Sequence, residues 1–345
     1  MSTMQDVARH AGVSVMTVSN VINGHPHVRD TTRQKVQASI QALDYHVNTA
    51  ARNLRQGRTG VIGLAVPDID RPYFGLLATL LIEKAAARGY ELVVEQTSAN
   101  RDRELDAVTR SRLRSYDGLL LSSVQLHDDD ASLLRGDFPL VVFGERPFSA
   151  PIDHVGMANE AGTELATDHL VERGCRRIAI IGGRVLADTV DVSTTRATGY
   201  LTAMRRAGLE VDPRWVRDAD YSFEGSLAAT AGLLDDLGQT AGGDRVIDGL
   251  VCATDVIALS AMRALADRGL RVPEDVLVVG FDDVPMAAFT TPSLTSIRPD
   301  HDGMASAAID LLVERIEGRR SSDDYRDHVG EVTLVEREST RRPAP

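Results

Sequence analysis

The chain has little of what marks a secreted, membrane-spanning or catalytic protein. Its 345 residues include two cysteines, Cys175 and Cys252, too few for a disulfide framework and without a CxxC pair for zinc. No stretch approaches the ~18 consecutive apolar residues of a membrane helix. Met1 to His10 lack the basic and apolar regions of a secretory signal. Lysine occurs only at Lys35, before valine, and Lys84, before alanine, so the phosphate-cradling GxxxxGK(S/T) loop is absent. Gly182-Gly183 does not extend to GxGxxG, and neither HExxH nor GxSxG occurs. These absences point away from an enzyme. They predict a cytoplasmic, reduced chain with no metal and no cofactor.

What is present is an uneven charge. The chain carries a net −12, yet residues 1–60 hold seven basic side chains against three acidic ones, and four of the nine histidines. A small basic head on an acidic body is the asymmetry expected when only the head meets a polyanion. The hydrophobic content of 43% and charged content of 26% are those of a soluble globular protein. The length suits two or three domains of roughly 100–200 residues.

Residues 4–23 divide into two helical stretches around Gly12-Val13-Ser14. Val7, Ala8 and Ala11 give the first one apolar stripe, and Val15, Val18, Val21 and Ile22 do the same for the second. Gly12 supplies the positive φ of a tight reversal, and Ser14 is a good N-cap. Ala8 is small enough to let the helices cross closely, with Val18 between them. A third helix follows, capped by Asp30 or Thr31, with Val36, Ile40 and Leu43 on its inner face. The pattern is that of a helix-turn-helix, whose second helix enters the major groove. The bland alternative is an ordinary helical hairpin in a small bundle. The glycine, alanine and valine spacing together with the basic surplus favours DNA.

The segment DVARHAGVSVMTVSNVINGHPHVRDTTRQKV resembles the head of the lactose-repressor (LacI/GalR) family of bacterial transcription factors. The match continues through Leu43-Asp44-Tyr45, Asn48 and Ala51-Arg52-Asn53-Leu54, then along the body. It implies that Val15, Met16 and Asn20 face base edges. The first two lack strong donors or acceptors and would read thymine methyls; Asn20 can bond adenine. Thr17, Ser19, Asn23, His27 and Thr32 would contact phosphates. NTAARNLRQ (48–56), too short to be helical alone, would be a hinge helix that orders when two copies pair over the minor groove. Leu54 would wedge between base steps, with Asn48, Ala51 and Arg55 beside it. Val47 stands where the family usually has proline.

From Gly60 onward apolar strands alternate with amphipathic helices: strands at 61–66, 91–96, 118–123 and 140–144, then 178–183, 249–254 and 276–283, while by the resemblance the tail segments 294–299 and 332–338 would cross between the lobes to complete both sheets. Helices are expected at 75–88, 102–115, 159–173, 195–207, 224–237, 256–268 and 301–317. Alternation of this kind means βαβ units and parallel sheets. Two such runs imply two doubly wound lobes, and the whole looks like the periplasmic-binding-protein fold. The domains expected are a helix-turn-helix head at 1–46, hinge and linker at 47–58, and an effector-binding, dimerising body at 59–340. Its N-lobe would take about 60–158 and 294–322, and its C-lobe about 159–292 and 323–340.

Ligands of open parallel sheets sit beyond the carboxyl ends of the strands. There the family's effector contacts would fall on Asp70, Tyr73, Phe74, Ser122, Arg196, Tyr221, Thr254, Asp255 and Asp282. Arg196, in STTRATGY, is a fork suited to adjacent hydroxyls. Asp282 would grip them from the other side, and the aromatic rings would stack on a sugar. Each has a bland counterpart: helix N-caps for Asp255 and Asp282, core for Tyr73 and Phe74, a surface ion pair for Arg196. Gly144-Glu145, Met157-Ala158-Asn159 and Thr254 depart from the family's usual residues. The expected function is a sequence-specific repressor of catabolic or transport genes. It would bind palindromic double-stranded operator DNA as a homodimer near the nucleoid, with no membrane partner, and its affinity would be set by a small molecule, a sugar first. The alternatives are a stand-alone sugar-binding protein, which residues 1–58 contradict, and a regulator with a purine-type co-repressor.

Overall fold

The computed structural model describes residues 2–22, 25–45, 58–134, 136, 138–144, 148, 150–185, 191–240, 246–321 and 323–342. Met1–Thr59 and Gly60–Pro345 form two separate compact units.

In the first unit the helices are α1 (Met4–Ala11), α2 (Val15–Ile22) and α3 (Asp30–Ala42). A capping box opens α1: Asp6 N donates to Thr3 Oγ1 at 3.2 Å and Thr3 N to Asp6 Oδ2 at 2.9 Å. Hydrogen bonding by Thr3 holds the Asp6 carboxyl below its ordinary range. Gly12, at φ 66°, ends the helix in the left-handed conformation that glycine adopts most cheaply. Ser14 accepts from Thr17 N at 3.1 Å and so starts α2. The third helix corrects the sequence reading. Its N-cap is Arg29, without a side-chain bond, while Asp30 lies in the first turn, where a carboxylate complements the helix dipole. Val7, Ala8, Val18, Val21, Val36 and Tyr45 close the core between the three helices.

The second unit holds two six-stranded sheets. The first is built from β1 (Val61–Val66), β2 (Glu91–Gln96), β3 (Gly118–Ser122), β4 (Leu140–Phe143), β5 (Asp153–Met157) and β11 (Asp327–Gly330), in the order β11-β5-β4-β3-β1-β2. All its pairings are parallel. The second takes β6 (Ile178–Ile181), β7 (Val216–Arg217), β8 (Gly249–Cys252), β9 (Leu277–Phe281), β10 (Thr295–Pro299) and β12 (Val332–Val335), in the order β12-β10-β9-β8-β6-β7. Only its β10–β12 pair is antiparallel. Helices cover both faces, so the central strands read as unbroken apolar runs: Leu119 to Leu121 and Ile178 to Ile181 are fully buried. The helices are α4 (Pro72–Ala87), α5 (Arg101–Arg110), α6 (Ala131–Leu134), α7 (Asn159–Glu172), α8 (Val192–Arg206), α9 (Phe223–Asp236), α10 (Asp255–Asp267) and α11 (His301–Ile316).

The topology corrects the expected lobe boundaries. β10 belongs to the second sheet and β11 to the first, so the chain passes between lobes after β5, after β10 and after β11. α11 packs into the first lobe through Met304, Ile309 and Leu312. Strands β5, β7 and β11 were absent from the sequence reading, and β5 shows why. It opens with Asp153-His154, whose polarity hides a strand, yet both are buried and satisfied. Asp153 pairs with Arg315, accepts from Arg320 Nη1 at 3.1 Å and from Arg326 N at 2.9 Å. His154 bonds Asp327 at 2.7 Å and the Gly144 carbonyl at 3.1 Å. The second lobe is closed by Ser339, which donates to the Val278 carbonyl at 2.6 Å and accepts from Thr295 N at 2.8 Å.

Candidate functional site

The carboxyl ends of β1, β3, β4 and β5 in one lobe and β6 to β9 in the other converge on a cavity of about 390 Å3. Tyr73, Phe74, Ser122, Arg196, Tyr221, Thr254 and Asp282 line it, as the strand-end argument expects. Asp70 and Asp255 do not. Asp70 is exposed on the loop before α4, outside the lining. Asp255 is fully buried in the first turn of α10: it accepts from Val284 N at 2.8 Å and from the Ser296 hydroxyl at 2.6 Å. It is therefore not the cap of its helix; it lies outside the cavity lining and anchors the loop that carries Asp282. Burial, with Asp282 and Asp283 nearby, pushes its carboxyl well above the ordinary range. The cap of α10 is Thr254, whose hydroxyl accepts from Ile257 N at 3.3 Å.

Arg196 is 2% exposed and is held from several sides. Its Nε donates to Asn159 Oδ1 at 2.9 Å, Nη1 to the Ala253 carbonyl, and its guanidinium lies 3.6 Å from the Phe281 ring centroid. Its Nη2 stands 3.7 Å from Asp282 Oδ1. Asp282 takes φ 104°, a conformation costly for a side chain with Cβ and kept only where the surroundings impose it. Here the backbone is fixed at both ends: its N donates to Ile297 O at 2.9 Å, and its carbonyl accepts from His301 Nε2 at 2.6 Å. Burial lowers the His301 pKa, which favours the neutral ring that donates this bond.

Across the cavity the Tyr73 and Phe74 rings meet edge to face at 5.1 Å, with the His301 ring 5.9 Å from Tyr73. The Arg71 guanidinium, itself paired with Asp68 at 2.8 Å, lies 5.7 Å from the Tyr221 ring centroid and so joins the lobes. Tyr221 bonds Ser193 at 3.0 Å. The loop after β3 adds Ser123, Gln125 and His127. Beneath it the buried Glu104 accepts from Val124 N at 3.2 Å and Gln125 N at 3.3 Å. Burial raises this carboxyl as well. Arg71, Arg184, Asp191, Ser193 and Asp220 were missed by the sequence reading. Ser193 was within reach of it, since a residue three before Arg196 shares its helix face. Forked donors, carboxylates and aromatic faces on one cavity suit a ligand rich in hydroxyl groups.

On the three-helix unit, Val15 and Met16 project from the first turn of α2 at 40% and 71% exposure, so Val15, placed on the apolar stripe by the sequence, stands outside the core together with Met16. Thr17, Ser19 and Asn20 follow, half-buried, with the Thr17 hydroxyl bonded to Ser14 at 2.9 Å. His27 is exposed and Thr32 half-buried at the start of α3. The expected contacts Asn23, Asn48, Ala51, Leu54 and Arg55 lie outside the described residues. Among the described residues no group of three or more His, Cys, Asp or Glu could hold a metal ion, and no helix is long and apolar enough to cross a membrane. Both cysteines are buried, and burial pushes the Cys175 thiol up to about 12.

Residues 3–48 match the model for bacterial regulatory proteins of the lacI family, and residues 167–340 that for the periplasmic binding protein-like domain. The chain is 33% identical to the ribose operon repressor of Escherichia coli strain K12, over 92% of this chain and 93% of that protein. It is 32% identical to the HTH-type transcriptional repressor PurR of Pasteurella multocida, over 92% of each. Among solved structures, it is similar to the Lac repressor dimer bound to operator and an anti-inducer, with TM-score 0.81, 27% identity and 98% of this chain and 99% of that one covered. It is likewise similar to the transcriptional regulator CelR in complex with cellobiose, with TM-score 0.71, 30% identity, and 98% and 100% covered.

Proposed function

Because the chain belongs to the lacI family of bacterial regulatory proteins, it is a DNA-binding transcriptional repressor, and we propose that a sugar held in its cleft releases it from its operator. The observation that carries the sugar is the buried Arg196–Asp282 pair at the cavity wall, where a fork of donors and a carboxylate face the same space. Sugar hydroxyls both donate and accept, and such a pair offers them both partners. In the head, Val15 and Met16 would meet thymine methyls and Asn20 an adenine edge, with Thr17, Ser19, Asn23, His27 and Thr32 on phosphates. Leu54 would wedge the minor groove from a hinge formed by Asn48, Ala51 and Arg55 beside it. One head carries a single short recognition helix, so two copies related by a two-fold axis would read a palindrome. The relatives are repressors, which supports a regulator of catabolic or transport genes acting in the cytoplasm at the nucleoid rather than an enzyme.

The test is operator selection from random duplex DNA with the purified full chain, followed by titration with saccharides. A palindromic site bound by a dimer and released by a saccharide is expected. Asp282→Asn should bind that site and no longer answer to the saccharide. A response in Asp282→Asn equal to the parent's would place the effector elsewhere.

A further inference from the structure

The loop that follows β9 is held by both lobes at a single peptide unit, the one between Asp282 and Asp283. Its N–H, on Asp283, donates to Ser296 Oγ of β10 at 3.0 Å, within the second lobe. Its carbonyl, on Asp282, accepts from His301 Nε2 at 2.6 Å. His301 is the first residue of α11, which belongs to the first lobe through Met304, Ala305 and Ala308. A peptide unit is planar and rigid, so it cannot turn at its oxygen without turning at its nitrogen. Movement of His301 relative to β10 therefore turns this plane. The chain leaves the second sheet at Pro299, and Asp300 caps α11 by accepting from Gly303 N at 3.0 Å. Asp300 N in turn donates to the Glu331 carbonyl at 2.9 Å, on the passage between β11 and β12. His301 thus stands at the pivot between the lobes.

What flanks this plane gives its orientation a consequence. Asp282 and Asp283 both have positive φ, 104° and 48°, a succession that residues with Cβ keep only where the surroundings impose it. From that backbone the Asp282 carboxylate stands 3.7 Å from Arg196 Nη2, while the Asp283 carboxylate meets Arg298 and Arg337, each at 2.6 Å. Arg196 has its own tie across the lobes: Nη2 donates at 3.4 Å to the sulfur of Met157, the last residue of β5. Thioether sulfur is a weak acceptor, so the His301 bond is the firmer of the two. A competing role for His301 is packing, since its ring centroid lies 5.9 Å from that of Tyr73. Donor and ring can be separated by substitution. Phenylalanine keeps a ring and removes the donor; glutamine removes the ring and keeps an N–H at about the same reach.

We propose that His301 is a positioning residue that couples the angle between the lobes to the Asp282 carboxylate: its Nε2–H, carried by the first lobe, sets the Asp282–Asp283 peptide and with it the place of Asp282 beside Arg196. The coupling holds whatever ligand the cleft takes. Hydrogen–deuterium exchange of the full chain, read by mass spectrometry, tests the donor. In His301→Phe the amides of Asp283 and Val284 should exchange about tenfold faster, the order that loss of one good hydrogen bond gives, with the amides of β8 unchanged. In His301→Gln their rates should return to near the parent's. Spin labels on Asp129→Cys in the first lobe and Glu224→Cys in the second, both exposed, test the lobes. The native Cys175 and Cys252 are buried, and dilution of the labelled chain into excess unlabelled chain leaves only distances within one chain. The interlobe distance distribution should broaden in His301→Phe and narrow again in His301→Gln. Unchanged loop exchange in His301→Phe overturns the proposal, and so does acceleration throughout both lobes, which would make His301 a residue of general stability. Equal acceleration in both variants assigns the effect to the ring against Tyr73 and overturns the donor role. A loosened loop with an unchanged distance distribution overturns the coupling between the lobes.

Discussion

Gly199 is where the packing of α8, and through it the position of Arg196 and Ser193, can be tested with one methyl group. A Cβ built there would lie 3.0 Å from the carbonyl carbon of Glu160 and 3.2 Å from its Cα, and closer still to the carbonyl oxygen. Non-bonded carbons prefer about 3.5–4.0 Å, so relief needs α7 and α8 to part by roughly half an ångström or more. The obstacle is backbone and has no rotamer through which to move aside. Overpacking of this kind costs about 1–3 kcal/mol, and for a domain of this size that is a fall in Tm of roughly 2–10 °C. Gly232, inside α9, is the control: nothing lies within 4 Å of its would-be Cβ and its φ is not in the left-handed region. There alanine removes unfolded-chain entropy at no steric cost, and Gly232→Ala should stabilise by about 0.4–1 kcal/mol. Differential scanning calorimetry of the two variants therefore expects shifts of opposite sign. A Tm of Gly199→Ala at or above the parent's would refute the close approach of the two helices.

Two further outcomes follow from the buried titratable groups. Asp255→Ala strips the partners of Val284 N and Ser296 and should cost about 1–3 kcal/mol, whereas Asp255→Asn keeps one acceptor and no charge. Since the Asp255 pKa is raised in the fold, its stabilising contribution is present below its ordinary value of 3.8 and is lost as pH rises through the folded value. Asparagine should therefore compare best with the parent at neutral pH and worse in acid; a greater loss at neutral pH than in acid, by denaturant titration, contradicts this. His169 and His301 are both lowered from 6.5 by burial. Below pH 6.5 the unfolded chain takes up protons that the folded chain refuses, so stability falls as pH drops from about 6.5 towards the folded values. Replacing both by glutamine should shrink the Tm loss between pH 7.5 and 5.5; an undiminished loss in that double variant counts against the assignment.

The parts of the fold most legible in the sequence were those in which one physical signal dominates. Apolar runs such as VIGLAV and IAII are strands buried on both faces, and no competing pattern obscures them. Gly12 and Ser14 fixed the turn of the head because a positive φ and an orphan amide each demand a particular residue type. What escaped was order set by partners distant in the chain. Asp153 is a strand residue only because Arg315 and Arg320 arrive from more than 160 residues away to neutralise it. β11 is a strand only because β5 offers it an edge, and nothing local to Asp327–Gly330 announces that. The placing of β10 in the second lobe is the same problem at larger scale: periodicity finds a strand but does not say which sheet receives it.

The site shows the corresponding limit for side chains. Strand-end reasoning and family resemblance brought seven of nine proposed cleft residues to the cavity wall: backbone topology delivers Ser122, Thr254 and Asp282 there, at or just beyond their strand ends, while Tyr73, Phe74 and Arg196 come from helices. The two that failed are adjacent in type to those that succeeded. Thr254 and Asp255 follow the same strand, yet the hydroxyl caps α10 and faces the cavity, while the carboxylate turns inward to Val284 and Ser296. An aspartate at that place is needed in either case, so its presence does not distinguish a ligand contact from an anchor. Depth separates them: Asp255 is fully buried, and its bonds to Val284 N and to Ser296 of β10 fix the loop in which Asp282, two residues before Val284, stands at φ 104° beside Arg196. The anchor and the contact thus act as one device. A carboxylate outside the cavity lining holds in place the carboxylate at the cavity wall.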